Sequence, residues 1–158
     1  MVVCVLDAGP LIHLDQLGTL QLLADMGMIF CPKIVLEEAE KHRPGIGFRL
    51  DFIYLVEASN PRPVGLKSVA ELHAGELAAL AWAEEYGADI FLSDDTGARE
   101  AAGEMKIQVC GTVGIILRAA RNGGLLAEDA RELLRSIPTR TTLHLKRSLL
   151  ASIIASLR

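Results

Sequence analysis

Acidic residues follow two strand-like segments of this sequence. Asp7 comes directly after the apolar run at 2–6, and Asp94 and Asp95 directly follow the predicted strand at 89–93. A continuous apolar run such as that at 2–6 is typical of a strand that is covered on both faces. If both segments are strands of one parallel sheet, these carboxylates meet at its carboxyl edge, where open α/β folds bind their ligands.

Two glutamates are predicted to lie at the same edge. Glu38 lies in the helix after the second strand, and its neighbour Glu37 faces about 100° away, so only one of them points inward. Glu76 lies near the start of the long middle helix, directly after Gly75. Carboxylates that converge repel one another and resist desolvation, so this arrangement indicates a compensating ligand.

A hard divalent cation would compensate the charge, because Mg²⁺ and Mn²⁺ prefer oxygen ligands. Such an ion orients or activates water and stabilises the charge that develops during phosphodiester hydrolysis. We therefore expect Mg²⁺ or Mn²⁺ as the cofactor of a phosphodiesterase site.

Each of these acids also has a structural alternative. Asp7 and one residue of the Asp94–Asp95 pair could cap the helices that follow them. Glu38 could lie on an exposed helix face, and Glu76 could interact with the dipole of its helix. The convergence of all of them at one sheet edge distinguishes the catalytic interpretation from these alternatives.

The elements that must position these residues follow from the periodicity. Short apolar runs alternate with helical patterns, which predicts βαβ units with right-handed crossovers and a parallel sheet. The predicted strands are 2–6, 28–31, 89–93 and 107–110, and an apolar run at 52–56 is either a strand or a short helix. The predicted fold is α/β, a three-layer α/β/α domain with a central parallel sheet of four or five strands.

Helices are predicted between and after these strands. Their approximate bounds are 10–17, a segment that Thr19 caps, 32–42, a middle helix that ends at 86, 96–105, 112–121, 127–136 and 146–157. Ser68 and Glu71 have the spacing of a capping box for the middle helix. Gly75 lies inside this pattern, however, and places the alternative start near His73 or Ala74.

Composition limits the classes of protein that fit. The chain has 158 residues, of which 51% are hydrophobic and 23% are charged, so we expect one domain that spans 1–158. The net charge of −4 argues against a generic basic coat for nucleic acid. Residues 1–117 carry 8 Lys/Arg and 17 Asp/Glu, whereas residues 118–158 carry 8 and 3, so a basic section adjoins an acidic body.

The cysteines and the apolar segments indicate the compartment. Cys4, Cys31 and Cys110 lie in or beside strand-like runs and form no C-x-x-C pair, which predicts buried free thiols. No segment reaches the roughly 18 consecutive apolar residues of a membrane helix. We therefore expect a cytoplasmic protein without membrane association.

The order of the acidic residues resembles the PIN domain, a family of metal-dependent nucleases that includes the VapC-type toxins of toxin–antitoxin pairs. Glu38 stands six positions beyond Pro32, and the resemblance also rests on the segments LDAGPLIHL, HAGELAALAWA, FLSDDTGAREAA and VCGTVGIILRAA. The last three are similar to a subgroup with GE, DD-x-x-x-R and GT-x-G-I-L signatures. These motifs span residues 2 to about 126.

The resemblance implies which acids are catalytic. Ser93-x-Asp95 occupies the place where many members have Thr-x-Asp, which favours Asp95, whereas the double Asp of the subgroup keeps Asp94 as an alternative. The implied catalytic residues are Asp7, Glu38, Glu76, Asp94 and Asp95, and the implied metal ligands are Asp7, Glu76, Asp94 and Asp95.

Four further residues are candidates for substrate binding. Arg99 lies one turn into the helix after the acidic pair and could contact a phosphate, with an ion pair to Asp95 as the alternative. Thr112 falls in the GT motif and lies either beside the site or at a helix cap. Arg118 and Arg121 share one helix face, where they could bind an RNA backbone.

We expect a metal-dependent endoribonuclease that is the toxin of a toxin–antitoxin pair. The resemblance implies an RNA substrate, an antitoxin partner and a homodimer. The alternative is a PIN-like module that binds protein or RNA and is catalytically weak or inactive. Gly9 leaves that alternative open, because many members have a hydroxyl residue at this position. Gly9 also argues against a haloacid-dehalogenase-like phosphatase, which needs a second Asp there.

Overall fold

The central sheet has five parallel strands in the order β3-β2-β1-β4-β5. The structure is a computed structural model, and it describes residues 1–66 and 71–158. The strands are β1 (Val3–Leu6), β2 (Met28–Pro32), β3 (Ile53–Val56), β4 (Ile90–Leu92) and β5 (Gln108–Cys110). Strand order reverses at β1, which pairs with β2 on one side and with β4 on the other, so the carboxyl end of β1 adjoins the switch point.

Seven α-helices are present among the described residues. They are α1 (Ala8–Gln16), α2 (Lys33–His42), α3 (Ala74–Tyr86), α4 (Thr96–Glu104), α5 (Thr112–Arg121), α6 (Ala127–Arg140) and α7 (Arg147–Ser156). Two 3₁₀-helices, Leu20–Met26 and Ile46–Arg49, complete the described elements.

Two apolar cores flank the sheet, one on each face. Side chains alternate between the faces of a strand, so neighbouring residues enter different cores. Leu6 and Leu92 belong to the larger core, which α1, α5 and α6 cover, whereas Val5 and Phe91 belong to the smaller core against α3 and α4. The predicted three-layer α/β/α fold is therefore confirmed, with five strands.

Local predictions are confirmed at some positions and corrected at others. The ambiguous run at 52–56 contains the strand β3. The middle helix begins at Ala74 after the N-cap His73, and the predicted capping box of Ser68 lies partly outside the described residues. Helix α6 continues past the predicted end to Arg140. Pro138 has no backbone N–H and therefore removes one hydrogen bond of the helix, a loss that is tolerated near the helix end.

The cysteines are free thiols, and none of the described helices is long and apolar enough to cross a membrane. Burial raises the pKa of Cys4 to about 11 and that of Cys31 to about 12. Both thiols therefore stay protonated at neutral pH and pack as small apolar side chains.

Candidate active site

Asp7 links the end of β1 to the start of α1. Its backbone N–H donates to the carbonyl oxygen of Leu92 at 2.9 Å, which extends the pairing of β1 with β4 by one residue. As the N-cap, Asp7 accepts a hydrogen bond on Oδ1 from the Ala8 N–H at 2.9 Å. Its Oδ2 accepts one from the Ser93 hydroxyl at 2.8 Å. The side chain thus caps a helix and also occupies the predicted site, where it is only 4% exposed.

Ser93 connects two of the predicted carboxylates. Its hydroxyl donates to Asp7 and accepts a hydrogen bond from the Asp95 N–H at 3.1 Å. Asp95 is the N-cap of α4, and its Oδ2 accepts from the Ala98 N–H at 2.8 Å. In the sequence, Ser93 stands out only as the first residue of the Ser93-x-Asp95 motif. In the structure, its buried hydroxyl fixes the orientation of Asp7.

Asp94 is held by groups from two other elements. Its Oδ1 accepts from the Thr112 N–H at 2.7 Å, and its Oδ2 accepts from the Thr112 hydroxyl at 2.5 Å. The same Oδ2 lies 2.6 Å from Nδ1 of His13 in α1. Residue 111 must be glycine for this contact, because a Cβ atom on Gly111 would lie 2.5 Å from Asp94 Oδ1. Thr112 therefore lies beside the site, as one of its two predicted placements requires.

Gly9 also accommodates Asp94. A Cβ atom at residue 9 would lie 3.3 Å from the Asp94 Cβ, which is closer than an ordinary van der Waals contact. Helix α1 approaches Asp94 so closely at residue 9 that any side chain there, including a hydroxyl residue, would be crowded.

Two glutamates approach the same space from α2 and α3. Glu76 is buried, and its Oε2 accepts a hydrogen bond from the His73 N–H at 3.1 Å in a capping box. Glu38 is half-buried, and its Oε2 would lie 3.1 Å from a Cβ atom on Gly75. Glu37 is exposed. Of the two adjacent glutamates in α2, the one that points inward is therefore Glu38.

All five predicted carboxylates line one cavity, which we call the acid cavity, with a volume of about 420 Å³. The remaining lining residues are Ala8, Gly9, Ile12, His13, His42, Thr96, Thr142, Leu143 and His144. No recognisable motif marks 142–144, which lie in the connection between α6 and α7. His13 is also a lining residue that was not predicted, and it shares one face of α1 with Gly9, four residues earlier.

The carboxylates in the acid cavity destabilise one another when ionised. The pKa of Asp7 is raised to about 6, mainly by burial and to a smaller extent by the charges of Glu38 and Asp95, against the hydrogen bonds from Ser93 and Ala8. The pKa of Glu76 is raised to about 7, again mainly by burial, with the charges of Asp7 and Asp95 acting in the same direction. Two buried acids are thus partly or largely ionised at neutral pH without a compensating cation.

The donor set fits a hard divalent cation. Carboxylate oxygens are the donors that Mg²⁺ and Mn²⁺ prefer, and a cation would relieve the repulsion that raises the pKa values. Within residues 1–66 and 71–158, no three His, Cys, Asp or Glu side chains form a cluster close enough to ligate one ion directly. Mg²⁺ is commonly held by one or two carboxylates and several waters, so a ring of acids around a cavity meets its requirement.

The predicted substrate-binding arginines lie on two different helices, Arg99 on α4 and Arg118 and Arg121 on α5. Arg99 is exposed on α4 and lines a second cavity that adjoins the acid cavity. Arg118 and Arg121 do not line the acid cavity. Helix α5 begins beside Asp94 and rises about 1.5 Å per residue, so its last turn lies away from the carboxylates. Arg118 instead lines a cavity with Met26, just before β2 begins.

Comparisons with known proteins bear on the fold. The sequence profile of a family described as DUF3368: PIN domain matches residues 3–158 of the chain. A PilT N-terminus domain protein from the hyperthermophilic archaeon Sulfolobus solfataricus P2 has a similar structure, with a TM-score of 0.55 and 17% sequence identity. That likeness covers 91% of this chain and 100% of the archaeal chain, and at this identity it concerns the fold. Among curated proteins, none matches the sequence.

Proposed function

The chain belongs to the PIN domain family, and we propose that it is a metal-dependent endoribonuclease that hydrolyses RNA phosphodiester bonds. The PIN domain is a nuclease-type fold. The observation that carries the proposal is the acid cavity, in which burial and neighbouring carboxylates raise the pKa values of Asp7 and Glu76. Perturbed acids that share a cavity with several other acids are typical of a site that binds a cation for catalysis.

Four carboxylates are our proposed holders of Mg²⁺ or Mn²⁺: Asp7, Glu38, Glu76 and Asp95. When bound, the cation would lower the pKa of an attacking water and stabilise the negative charge that develops on the phosphate. The protein positions these groups. The Ser93 hydroxyl donates a hydrogen bond to Asp7 and accepts one from the Asp95 backbone N–H.

We assign Asp94 a positioning role rather than a direct role as a metal ligand. Both of its oxygens accept hydrogen bonds from Thr112, and Oδ2 also contacts His13. These bonds join the end of β4 to α1 and α5, which form two sides of the acid cavity. Within residues 1–66 and 71–158, the hydrogen bond that the Asp95 side chain accepts comes from its own helix, from the Ala98 N–H to Oδ2. Its other oxygen therefore remains for a ligand.

A nuclease assay tests the proposal. Labelled single-stranded and structured RNAs, with DNA strands of the same sequence, are incubated with the protein in Mg²⁺, in Mn²⁺ and in EDTA. We expect cleavage of RNA that needs the metal and that Asp7→Asn abolishes. Glu37→Gln is the matched control, because it removes one carboxylate from α2 outside the cavity. Cleavage that survives both EDTA and Asp7→Asn would contradict the proposal.

We further propose that the protein is the toxin of a toxin–antitoxin pair and that it acts as a homodimer in the cytoplasm. These proposals rest on the resemblance of the motifs to VapC-type toxins. Expression of the wild-type chain in bacteria should then arrest growth, whereas Asp7→Asn should not. Light scattering coupled to size exclusion measures the oligomeric state, and a mass of one chain at micromolar concentration would contradict the dimer.

A second candidate function is a PIN-like module that binds RNA or protein without cleavage. The spacing of the acids favours it, because no three of the described side chains form a ready ligand cluster. RNA binding without cleavage in Mg²⁺, Mn²⁺ or any other divalent metal would support this alternative. A metal-dependent rise in melting temperature that Asp7→Asn reduces would instead support the nuclease.

A further inference from the structure

A second cavity, which we call the flank cleft, adjoins the acid cavity. It has a volume of about 390 Å³, within the range of about 300–1,000 Å³ that is typical of small-ligand sites. The two cavities share Asp94, Thr96, Leu143 and His144. A polymer strand that is bound in the acid cavity can therefore continue directly into the flank cleft.

One side of the flank cleft carries a cation. The Arg99 Nη1 would lie 3.4 Å from a Cβ atom on Gly111, so the guanidinium lies against the β5–α5 junction. The ion pairs among residues 1–66 and 71–158 do not include Arg99, so the predicted alternative of a pair with Asp95 does not form there. An exposed guanidinium beside a cleft is suited to a phosphate, which it can bind through two parallel hydrogen bonds.

Apolar side chains of α7 and of the residue two positions before it also line the flank cleft, and we call them the α7 wall. The wall consists of Leu145, Leu149 and Ile153. Leu149 is 49% exposed, although it belongs to a helix that buries Leu150 against the larger core. A cleft lined by both a cation and apolar side chains matches a nucleotide, which has a charged phosphate and an apolar base. Lys146 and Arg147, at the start of α7, add positive charge near this wall.

We propose that the flank cleft binds the nucleotide next to the scissile phosphate, with its phosphate on Arg99 and its base on the α7 wall. This inference rests on the proposed nuclease function and extends the substrate site to residues 145–153, which lie beyond the family motifs. A nucleic acid strand is favoured over a peptide because the cleft is continuous with the site proposed to hold a phosphodiester.

Binding measurements on protein that does not cleave test the phosphate contact. Fluorescence anisotropy reports the Kd of a labelled ten-nucleotide single-stranded RNA for Asp7→Asn protein in Mg²⁺ at several salt concentrations. Adding Arg99→Ala should weaken binding about tenfold and reduce the slope of log Kd against log salt by about 0.7, the value for one lost phosphate contact. Adding Arg135→Ala instead removes an exposed arginine of α6 and should leave both values unchanged.

Abasic RNAs test the base contact. An abasic residue is placed at each position of the RNA in turn, and one position should weaken binding to the Asp7→Asn protein by about fivefold or more. In protein that also carries Leu149→Ser, the intact RNA should bind more weakly and the abasic substitution should have no further effect. Circular dichroism checks that each variant is folded.

The outcomes separate the two proposals. An unchanged Kd and an unchanged salt slope with Arg99→Ala would overturn the assignment of the flank cleft, and so would equal affinities for intact and abasic RNA. A peptide-binding cleft would give this result. RNA binding that depends on Arg99, together with no cleavage by the wild-type protein in any metal, would overturn the nuclease and leave the cleft assigned as an RNA-binding site.

Discussion

Asp94 accepts two hydrogen bonds from Thr112, one from its backbone N–H at 2.7 Å and one from its hydroxyl at 2.5 Å. This pair ties the carboxyl end of β4 to the first turn of α5. Among the described residues, the side chain of the adjacent Asp95 accepts its hydrogen bond from the Ala98 N–H of its own helix. Both carboxylates line the acid cavity, but Asp94 alone of the two bonds to α5, which is why we propose a positioning role for Asp94 and a metal-binding role for Asp95.

Substitution of Asp94 should mainly lower the stability of the fold, whereas substitution of Asp95 should mainly lower RNA cleavage. Asp94→Ala leaves the Thr112 N–H and hydroxyl without their acceptor, so we expect a loss of about 2–4 kcal/mol in the free energy of unfolding. Asp95→Asn keeps a good N-cap and should cost less than about 1 kcal/mol, while RNA cleavage falls by about 100-fold. Urea denaturation and cleavage rates measure both. Equal loss of stability in the two variants would contradict the assigned roles.

Adjacent glutamates in α2 provide a second comparison. Glu38→Gln removes a charge from the acid cavity, so cleavage should fall by about 100-fold and the Mn²⁺-dependent rise in melting temperature should shrink. Glu37→Gln removes the same charge from an exposed position, and both quantities should stay within about twofold of the wild type. The comparison controls for net charge. A similar loss in both variants would show that α2 acts through its overall charge.

The contribution of Asp7 and Glu76 to the stability of the metal-free protein should fall as the pH rises from 4 to 8. The folded-state pKa values of Asp7 and Glu76 are about 6 and about 7, above the ordinary values of 3.8 and 4.5. Between these limits, the folded state binds more protons than the unfolded state, so the free energy of unfolding decreases with pH. This stabilisation is complete below the ordinary values and is lost as the pH rises through about 6 and 7.

Chemical denaturation in EDTA across this range measures the effect. Other carboxylates also titrate below pH 5, so the readout is the difference between the wild type and the Asp7→Asn/Glu76→Gln variant. The variant should have the flatter profile above pH 5 and the higher stability at pH 8. A wild-type stability that rises relative to the variant between pH 5 and 8 would contradict the burial of these charges.

Glycine substitutions separate the site from the scaffold. A Cβ atom on Gly75 would lie 3.1 Å from Glu38 Oε2, so Gly75→Ala should displace this carboxylate and lower cleavage by about tenfold. Stability should change by less than about 1 kcal/mol, because alanine is the better helix former. Gly103→Ala has no described atom within 4 Å of the new Cβ and should stabilise α4 by about 0.5–1 kcal/mol without affecting cleavage.

Site residues that directly follow a strand could be predicted from the sequence, because the local pattern marks the strand and the sheet geometry fixes where the strand ends. Asp7, Asp94 and Asp95 follow strands, and parallel strands bring their carboxyl ends to one edge, so their proximity was predictable. Helical periodicity alone left Glu37 and Glu38 open, and the resemblance to the PIN domain was what selected Glu38, the residue that lines the acid cavity. Which of the two faces inward depends on how α2 packs against α3, which a single sequence does not specify.

Long-range contacts and helix direction account for the other differences. His13 reaches Asp94 across 81 positions of the chain, and no local pattern signals such a contact. Amphipathic spacing correctly placed Arg118 and Arg121 together on α5, but it did not show that this end of the helix points away from the carboxylates. Their role in RNA binding stays a prediction.

The walls of the acid cavity come from distant parts of the polypeptide. Asp7 directly follows the first strand, whereas Thr142, Leu143 and His144 follow α6, more than 130 positions later in the chain. During synthesis on the ribosome, all five acidic residues therefore emerge before the segments that enclose them. A chain interrupted before residue 142 carries the complete set of acids but not the enclosure, so the last helices determine when a newly made molecule acquires the final shape of its cavity.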